Sequence, residues 1–175
     1  MVILETERLL FRDHELEDMD AFCAMEADPE VRRYTGGKPR TRENAEEKFK
    51  SVYLPPVKGQ MALWATVYKP EGCYIGYCGL YPHFGKPDPI PGEGVLGYIL
   101  ARPYWGLGLA TEAARAFVDF GFNVLNLTTI YAVVESGNDA SLHVLKKLGM
   151  RKVGTEYVGK RALYTYELIH PRFLE

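Results

Sequence analysis

The stretch "RPYWGLGLATEA", Arg102 to Ala113, sets Gly106 and Gly108 between an apolar, strand-like run and a strongly helix-forming one. A strand, a tight glycine turn and a helix, in that order, gather unpaired backbone amides and the positive end of a helix dipole at one point. Such a point binds phosphate. Glycine permits dihedrals that other residues avoid and lets the backbone approach a ligand with no Cβ in the way. The amides of Leu107, Gly108, Leu109, Ala110 and Thr111 would then do the binding. A plain strand-to-helix turn would also use two glycines.

Two rival phosphate motifs fail on their neighbours. A P-loop needs Gly-Lys-Ser/Thr at the second glycine, and a dinucleotide fingerprint needs Gly or Ala where Thr111 stands, with an acidic residue about 20 positions on. Neither is present.

Asn138 and Ser141 lie three apart at the start of "NDASLHVLKKLG" and so share one face of a first helical turn. Asn138 is also a good cap and Ser141 is tolerated behind it, so the spacing is compatible with a purely structural role. His83, in a proline-rich loop, and His143, on a helix, read as solvated side chains. Cys23, Cys73 and Cys78 are odd in number, and the last two have neither redox-motif nor zinc-site spacing. They read as reduced, buried, inert thiols, and no metal is expected.

These groups need a scaffold. "ILETERLLFR" (3–12) reads as one strand, "ELEDMDAFCAMEADPE" as a helix halted near Pro29, and "TRENAEEKFKSVYL" as a helix capped by Thr41 and stopped by Pro55 and Pro56. "MALWATVYK" and "CYIGYCGLY" form an antiparallel hairpin, Pro82 to Gly94 a long loop or flap, and "VLGYILA" a third strand. From Leu109 the apolar spacing becomes helical. A strand "TTIYAVVE", a helix closed by Gly149 and a hairpin of "MRKVGTEYV" with "RALYTYELI" complete the chain.

With 175 residues, 47% of them hydrophobic, and a formal net charge of -2, the chain suits one domain spanning 1–175. Near-neutral charge gives no nucleic-acid footprint, and no window nears the roughly 20 apolar residues of a membrane span. The first residues lack a secretory pattern, which points to the cytoplasm.

"GYILARPYWGLGLATEA", followed by "VVESGNDASLHVLKKLGM", resembles the two central motifs of the GCN5-related N-acetyltransferases (GNAT). "TERLLFR", "DPEVRRYTGG" and the Asn138, Ser141, Lys147, Gly149 spacing are similar to the branch containing the ribosomal-protein N-terminal acetyltransferases. The resemblance implies an α+β fold: a mixed, mostly antiparallel central sheet of about seven strands flanked by helices. Within it a parallel pair, 94–101 and 128–135, splays apart around acetyl-CoA.

The resemblance further implies that backbone amides at Ile99 and Leu100 hold the pantetheine or the thioester carbonyl. The turn from Gly106 to Thr111 would bind the pyrophosphate, with Asn138, Ser141 and Lys147 also contacting the cofactor, and Ser141 would protonate the departing thiolate. Two positions depart from the family pattern. Pro103 stands three residues before the first glycine, where Arg or Gln is usual, and Val95 stands where many relatives place a glutamate base. Glu93, two residues earlier on the same strand face, is the substitute base, whereas Glu135, which ends the neighbouring strand beside the wedge, reads as a solvated strand end. Of Trp64, Tyr74, Tyr77, Tyr81, Tyr98 and Tyr104, most are expected in the core and one or two in an acceptor pocket.

The expected reaction is direct attack of a primary amine on acetyl-CoA in a ternary complex. The acceptor is a protein N-terminus or a small amine, recognised by Asp28 to Gly37 and the flap. The alternative is a non-catalytic acyl-CoA-binding sensor. No nucleic-acid or membrane partner is expected, and the chain is expected to be a monomer or homodimer.

Overall fold

A computed structural model describes residues 1–55, 57, 59–82 and 90–174. Most of the expected flap at 82–94, and His83 with it, therefore lies outside the described residues.

Among the described residues, eight strands form one sheet in the order β1-β2-β3-β4-β5-β6-β8-β7. They are β1 Val2–Glu5, β2 Leu9–Arg12, β3 Leu63–Tyr68, β4 Cys73–Tyr81, β5 Glu93–Leu100, β6 Thr129–Glu135, β7 Arg151–Val158 and β8 Arg161–Ile169. Every pairing is antiparallel except that of β5 with β6. The crossover between those two is helix α4, Leu109–Asn123.

The segment 3–12 is two strands and not the single strand its pattern suggests. Thr6 donates its backbone amide to the Leu9 carbonyl and receives the Leu9 amide on its hydroxyl, at 2.9 and 3.1 Å. Glu112 takes the Arg8 amide at 3.0 Å. The turn thus satisfies its polar backbone from side chains, one of them over a hundred residues away, and the ladder stops there.

On one face of the sheet lie α1 Met19–Ala27, α2 Pro29–Arg32 and α3 Arg42–Lys48. Thr41 caps α3 as expected, accepting from the Asn44 amide at 3.3 Å. Beyond α3 the helix widens into a π-turn, Phe49–Tyr53, whose end is set by the Leu54 amide donating to the Phe49 carbonyl. Phe22, Phe49, Ala45 and Tyr77 close this side.

The opposite face carries α4 and α5, Asp139–Lys147. Ala113, Ala114 and Phe117 of α4 are fully buried against Phe11, Leu80 and Ile130. Phe117 meets Phe11 edge to face at 4.9 Å. Burying one such ring contributes about 2–3 kcal/mol. This packing fixes the amino end of α4 over the end of β5.

Candidate active site

β5 and β6 are paired at Glu93–Thr129, Gly94–Ile130 and Val95–Tyr131. Beyond Val95 the two strands part, and a cleft of about 1370 Å³ opens between them. Its walls include Tyr98, Leu100, Gly108, Thr111, Asn138 and Ser141.

Gly106 and Gly108 have φ of 73° and 78°, the left-handed region that disfavours side chains. Space around a Cβ on Gly106 is empty to 4 Å, so the turn is open to a ligand. Gly108 is the N-cap of α4 and supplies no side-chain bond. Among the described residues, no acceptor meets the amides of Gly106 to Thr111. Trp105 fastens the turn to the strand by donating its indole N–H to the Leu100 carbonyl at 2.7 Å. These orphan amides at a helix start fit the diphosphate of acetyl-CoA.

The register decides which strand amides face the cleft. Ala101 donates to the Ile75 carbonyl, and Ile99 stands opposite Tyr77, so alternation along the ladder turns the Ile99 amide into β4. Tyr98 and Leu100 point their amides toward the parted side. Both expected donors line the cleft, but the Leu100 amide points to the parted side and the Ile99 amide toward β4. Tyr98 replaces Ile99 as a donor.

Asn138 caps α5, its side-chain oxygen accepting from the Ser141 amide at 3.2 Å. The Ser141 hydroxyl contacts the Tyr98 phenol. Burial raises that phenol to about 12 against the opposing effect of Ser141, so Tyr98 stays protonated through neutral pH. Lys147, in the last turn of α5, lines both this cleft and an adjoining hollow of about 520 Å³.

Glu93 sits at the closed end of the strand pair, where its carboxylate meets the Tyr131 phenol. It does not line the cleft, because the strands part only after Val95. Glu135 does line it, held by Arg161 through Nε at 2.9 Å and NH2 at 2.6 Å. Arg102, beside Pro103, pairs with Asp28 at 3.1 Å and so is committed away from the glycine turn.

The other end of the cleft is walled by Glu30, Val31 and Arg33 to Gly36, within the segment expected to read the acceptor. Buried Glu26, on α1, underpins that wall: it takes Arg40 at 2.6 Å and Arg32 and Lys48 at 3.4 Å. Arg32 also donates to the Lys38 carbonyl and the Thr35 hydroxyl. The floor lacks side chains at Gly97, opposite Gly79. A Cβ on Gly97 would come within 2.8 Å of the Tyr81 ring.

Four of the six aromatic candidates line the cleft: Tyr77, Tyr81, Tyr98 and Tyr104. Trp64 is buried in the core, and Tyr74 packs against the second cluster. Exposed His143 also reaches the cleft. Cys23 and Cys78 are buried, but Cys73 is half-buried with Sγ 3.1 Å from the Tyr104 hydroxyl, so it is not the isolated core thiol expected. Among the described residues, no cluster of His, Cys, Asp or Glu is placed to hold a metal. No described helix is long and apolar enough to cross a membrane.

Residues 8–151 match the acetyltransferase (GNAT) domain family. The chain belongs to the GNAT acetyltransferases. It is 37% identical over 155 residues to the "Uncharacterized N-acetyltransferase p20" of Bacillus licheniformis, covering 88% of this chain and 85% of that one. A 56-residue match at 43% identity to the spermidine N(1)-acetyltransferase of Escherichia coli (strain K12) spans 32% of this chain and 30% of that protein. The crystal structure of a GNAT-family acetyltransferase from Bacillus anthracis shares the fold, with a TM-score of 0.82 at 24% identity over 97% of this chain and 98% of that one. So does spermidine N-acetyltransferase from Vibrio cholerae in complex with CoA and spermine, at 0.76 and 18% over 97% and 100%. The protein is thus an acetyl-CoA-dependent N-acetyltransferase.

Proposed function

We propose that this GNAT enzyme transfers the acetyl group to a primary amine by direct attack in a ternary complex, with Ser141 protonating the departing thiolate. The observation that carries the reading is the single cleft uniting an open glycine turn, the unspent Tyr98 and Leu100 amides and the Tyr98–Ser141 hydroxyl pair. Amides aimed at the thioester oxygen would stabilise the oxyanion by about 3 kcal/mol each. Gly106 to Thr111, Asn138 and Lys147 hold the rest of the donor.

The attacking amine must be neutral, which is easier for an α-amine near 8 than for a lysine near 10.4. Glu135 lines the cleft and Glu93 does not, so the attacking nitrogen loses its proton to water held by Glu135. The acceptor is a protein N-terminus or a small amine. Polyamines belong in the panel because two similar proteins are named for spermidine. Placement in the ribosomal-protein N-terminal acetyltransferase branch rests on "TERLLFR" and "DPEVRRYTGG". The cytoplasm, where acetyl-CoA is at hand, is the proposed site of action.

Val95, where many relatives carry a glutamate, together with Glu93 outside the cleft, favours a second reading as an acyl-CoA sensor. Mass spectrometry of the protein with acetyl-CoA and pooled peptides, polyamines and amino sugars separates the two. An acetylated amine supports transfer, whereas tight acetyl-CoA binding with every amine left unmodified supports the sensor.

A further inference from the structure

The anion-binding end of α4 carries an anion of its own. Glu112 lies in the first turn of that helix, where its carboxylate opposes any phosphate brought to the glycine turn. It is only 18% exposed. Thr6 donates its hydroxyl to Oε1 at 2.6 Å, Arg8 donates its backbone amide there at 3.0 Å, and Arg8 Nε and NH2 both reach Oε2 at 2.7 Å. Burial works against the charge, but these bonds outweigh it and hold the carboxyl below the usual range. Glu112 is therefore ionised wherever the enzyme works.

Arg8 does a second thing with the same guanidinium. NH1 donates to the carbonyl of Leu107, the residue between the two glycines, at 2.9 Å. NH2 lies 3.6 Å from where a Cβ on Gly108 would stand. The basic residue just before the turn, Arg102, is paired with Asp28 at 3.1 Å, and residue 103 is proline.

We propose that Arg8, delivered by the β1–β2 turn, is a positioning residue for the phosphate-binding turn, cancelling the Glu112 charge and pinning Leu107 so that the α4 amides stay available to the diphosphate of acetyl-CoA. The proposal rests on acetyl-CoA occupying that turn. Arg8 acts through charge as well as bracing, and this distinguishes it from a merely structural residue. Bracing is lost equally in Arg8→Gln and in Arg8→Gln/Glu112→Gln, but the uncancelled carboxylate is present only in the first.

The test is CoA affinity by calorimetry, with steady-state kinetics, on the wild type, Arg8→Gln, Arg8→Lys, Glu112→Gln and the double variant, each checked for folding by circular dichroism. Arg8→Gln should weaken CoA about 10- to 100-fold and raise the acetyl-CoA KM, with kcat at saturation within about threefold. Arg8→Lys should recover part of the loss. The double variant should bind at least about fivefold more tightly than Arg8→Gln, because the opposing charge is gone. Equal affinity of Arg8→Gln and the double variant overturns the proposal, as does wild-type affinity in Arg8→Gln. If Arg8→Gln does not fold, Glu112→Gln decides: binding at least as tight as wild type supports the proposal, and weaker binding overturns it. A wild type that binds no CoA overturns the acetyl-CoA reading itself, and this proposal with it.

Discussion

Tyr98 on β5 and Ser141 on α5 bring their hydroxyls together across the parted strands. In the proposed reaction the departing thiolate needs one proton, which Ser141 would give from its own hydroxyl. Ser141→Ala should lower kcat by about 10² to 10⁴ with acetyl-CoA affinity nearly unchanged. Because a thiol has a pKa near 8.5, the defect should shrink as pH rises past that value if thiolate departure limits the rate. A pH–rate profile of wild type and variant checks both. Loss confined to cofactor affinity would make Ser141 a binding residue only.

Gly108 has a left-handed backbone and caps a helix at the mouth of the cleft. Gly108→Val should raise the acetyl-CoA KM at least about tenfold, because a β-branched residue resists positive φ and its side chain crowds the ligand. Initial rates against acetyl-CoA concentration measure it, and an unchanged KM in a folded variant would show the glycine to be structural.

Glu26 is fully buried and gathers Arg40, Arg32 and Lys48 beneath the wall formed by residues 33–36. Glu26→Gln leaves those cations without their counter-charge and should destabilise the fold by about 3 kcal/mol. Urea denaturation gives the number. The acceptor KM of surviving enzyme should rise before the acetyl-CoA KM does if that wall reads the acceptor, as proposed.

His14 is the pH-sensitive element of the core. Burial lowers its pKa below 6.5, and the bond from Nε2 to the Leu63 carbonyl at 3.0 Å only partly opposes that. The unfolded chain therefore takes up the proton first. Stability contributed by neutral His14 is intact above pH 6.5 and falls as pH drops from there toward the folded pKa, by up to about 1.4 kcal/mol per pH unit. Urea midpoints at pH 7.5, 6.5 and 5.5 should drift downward in the wild type and drift less in His14→Gln.

Local pattern made much of this legible. Thr41 and Asn138 sit where cap chemistry puts them, the 3.6 spacing after Leu109 is α4, and the glycine turn announces its own dihedrals. What escaped depends on distant partners. The break at Thr6 to Arg8 requires Glu112, and the exclusion of Glu93 follows from where the β5–β6 pairing ends. Which of the Ile99 and Leu100 amides points to the parted side is a matter of register with β4, which no pattern within β5 specifies. The two paired cations, Arg102 on Asp28 and Arg8 on Glu112, carry no signal in spacing because their partners lie far along the chain.

The bare backbone at Gly97 bears on how this enzyme can change its diet of amines. Tyr81 occupies the room that a side chain at residue 97 would need, coming within 2.8 Å of its Cβ, and Leu63 stands at 3.1 Å. A side chain at residue 97 therefore crowds both Tyr81 and Leu63 unless they shrink or shift, while shrinking Tyr81 alone opens a void in the cleft floor. The route to a new acceptor pocket passes through paired changes, in which neither step alone is an improvement.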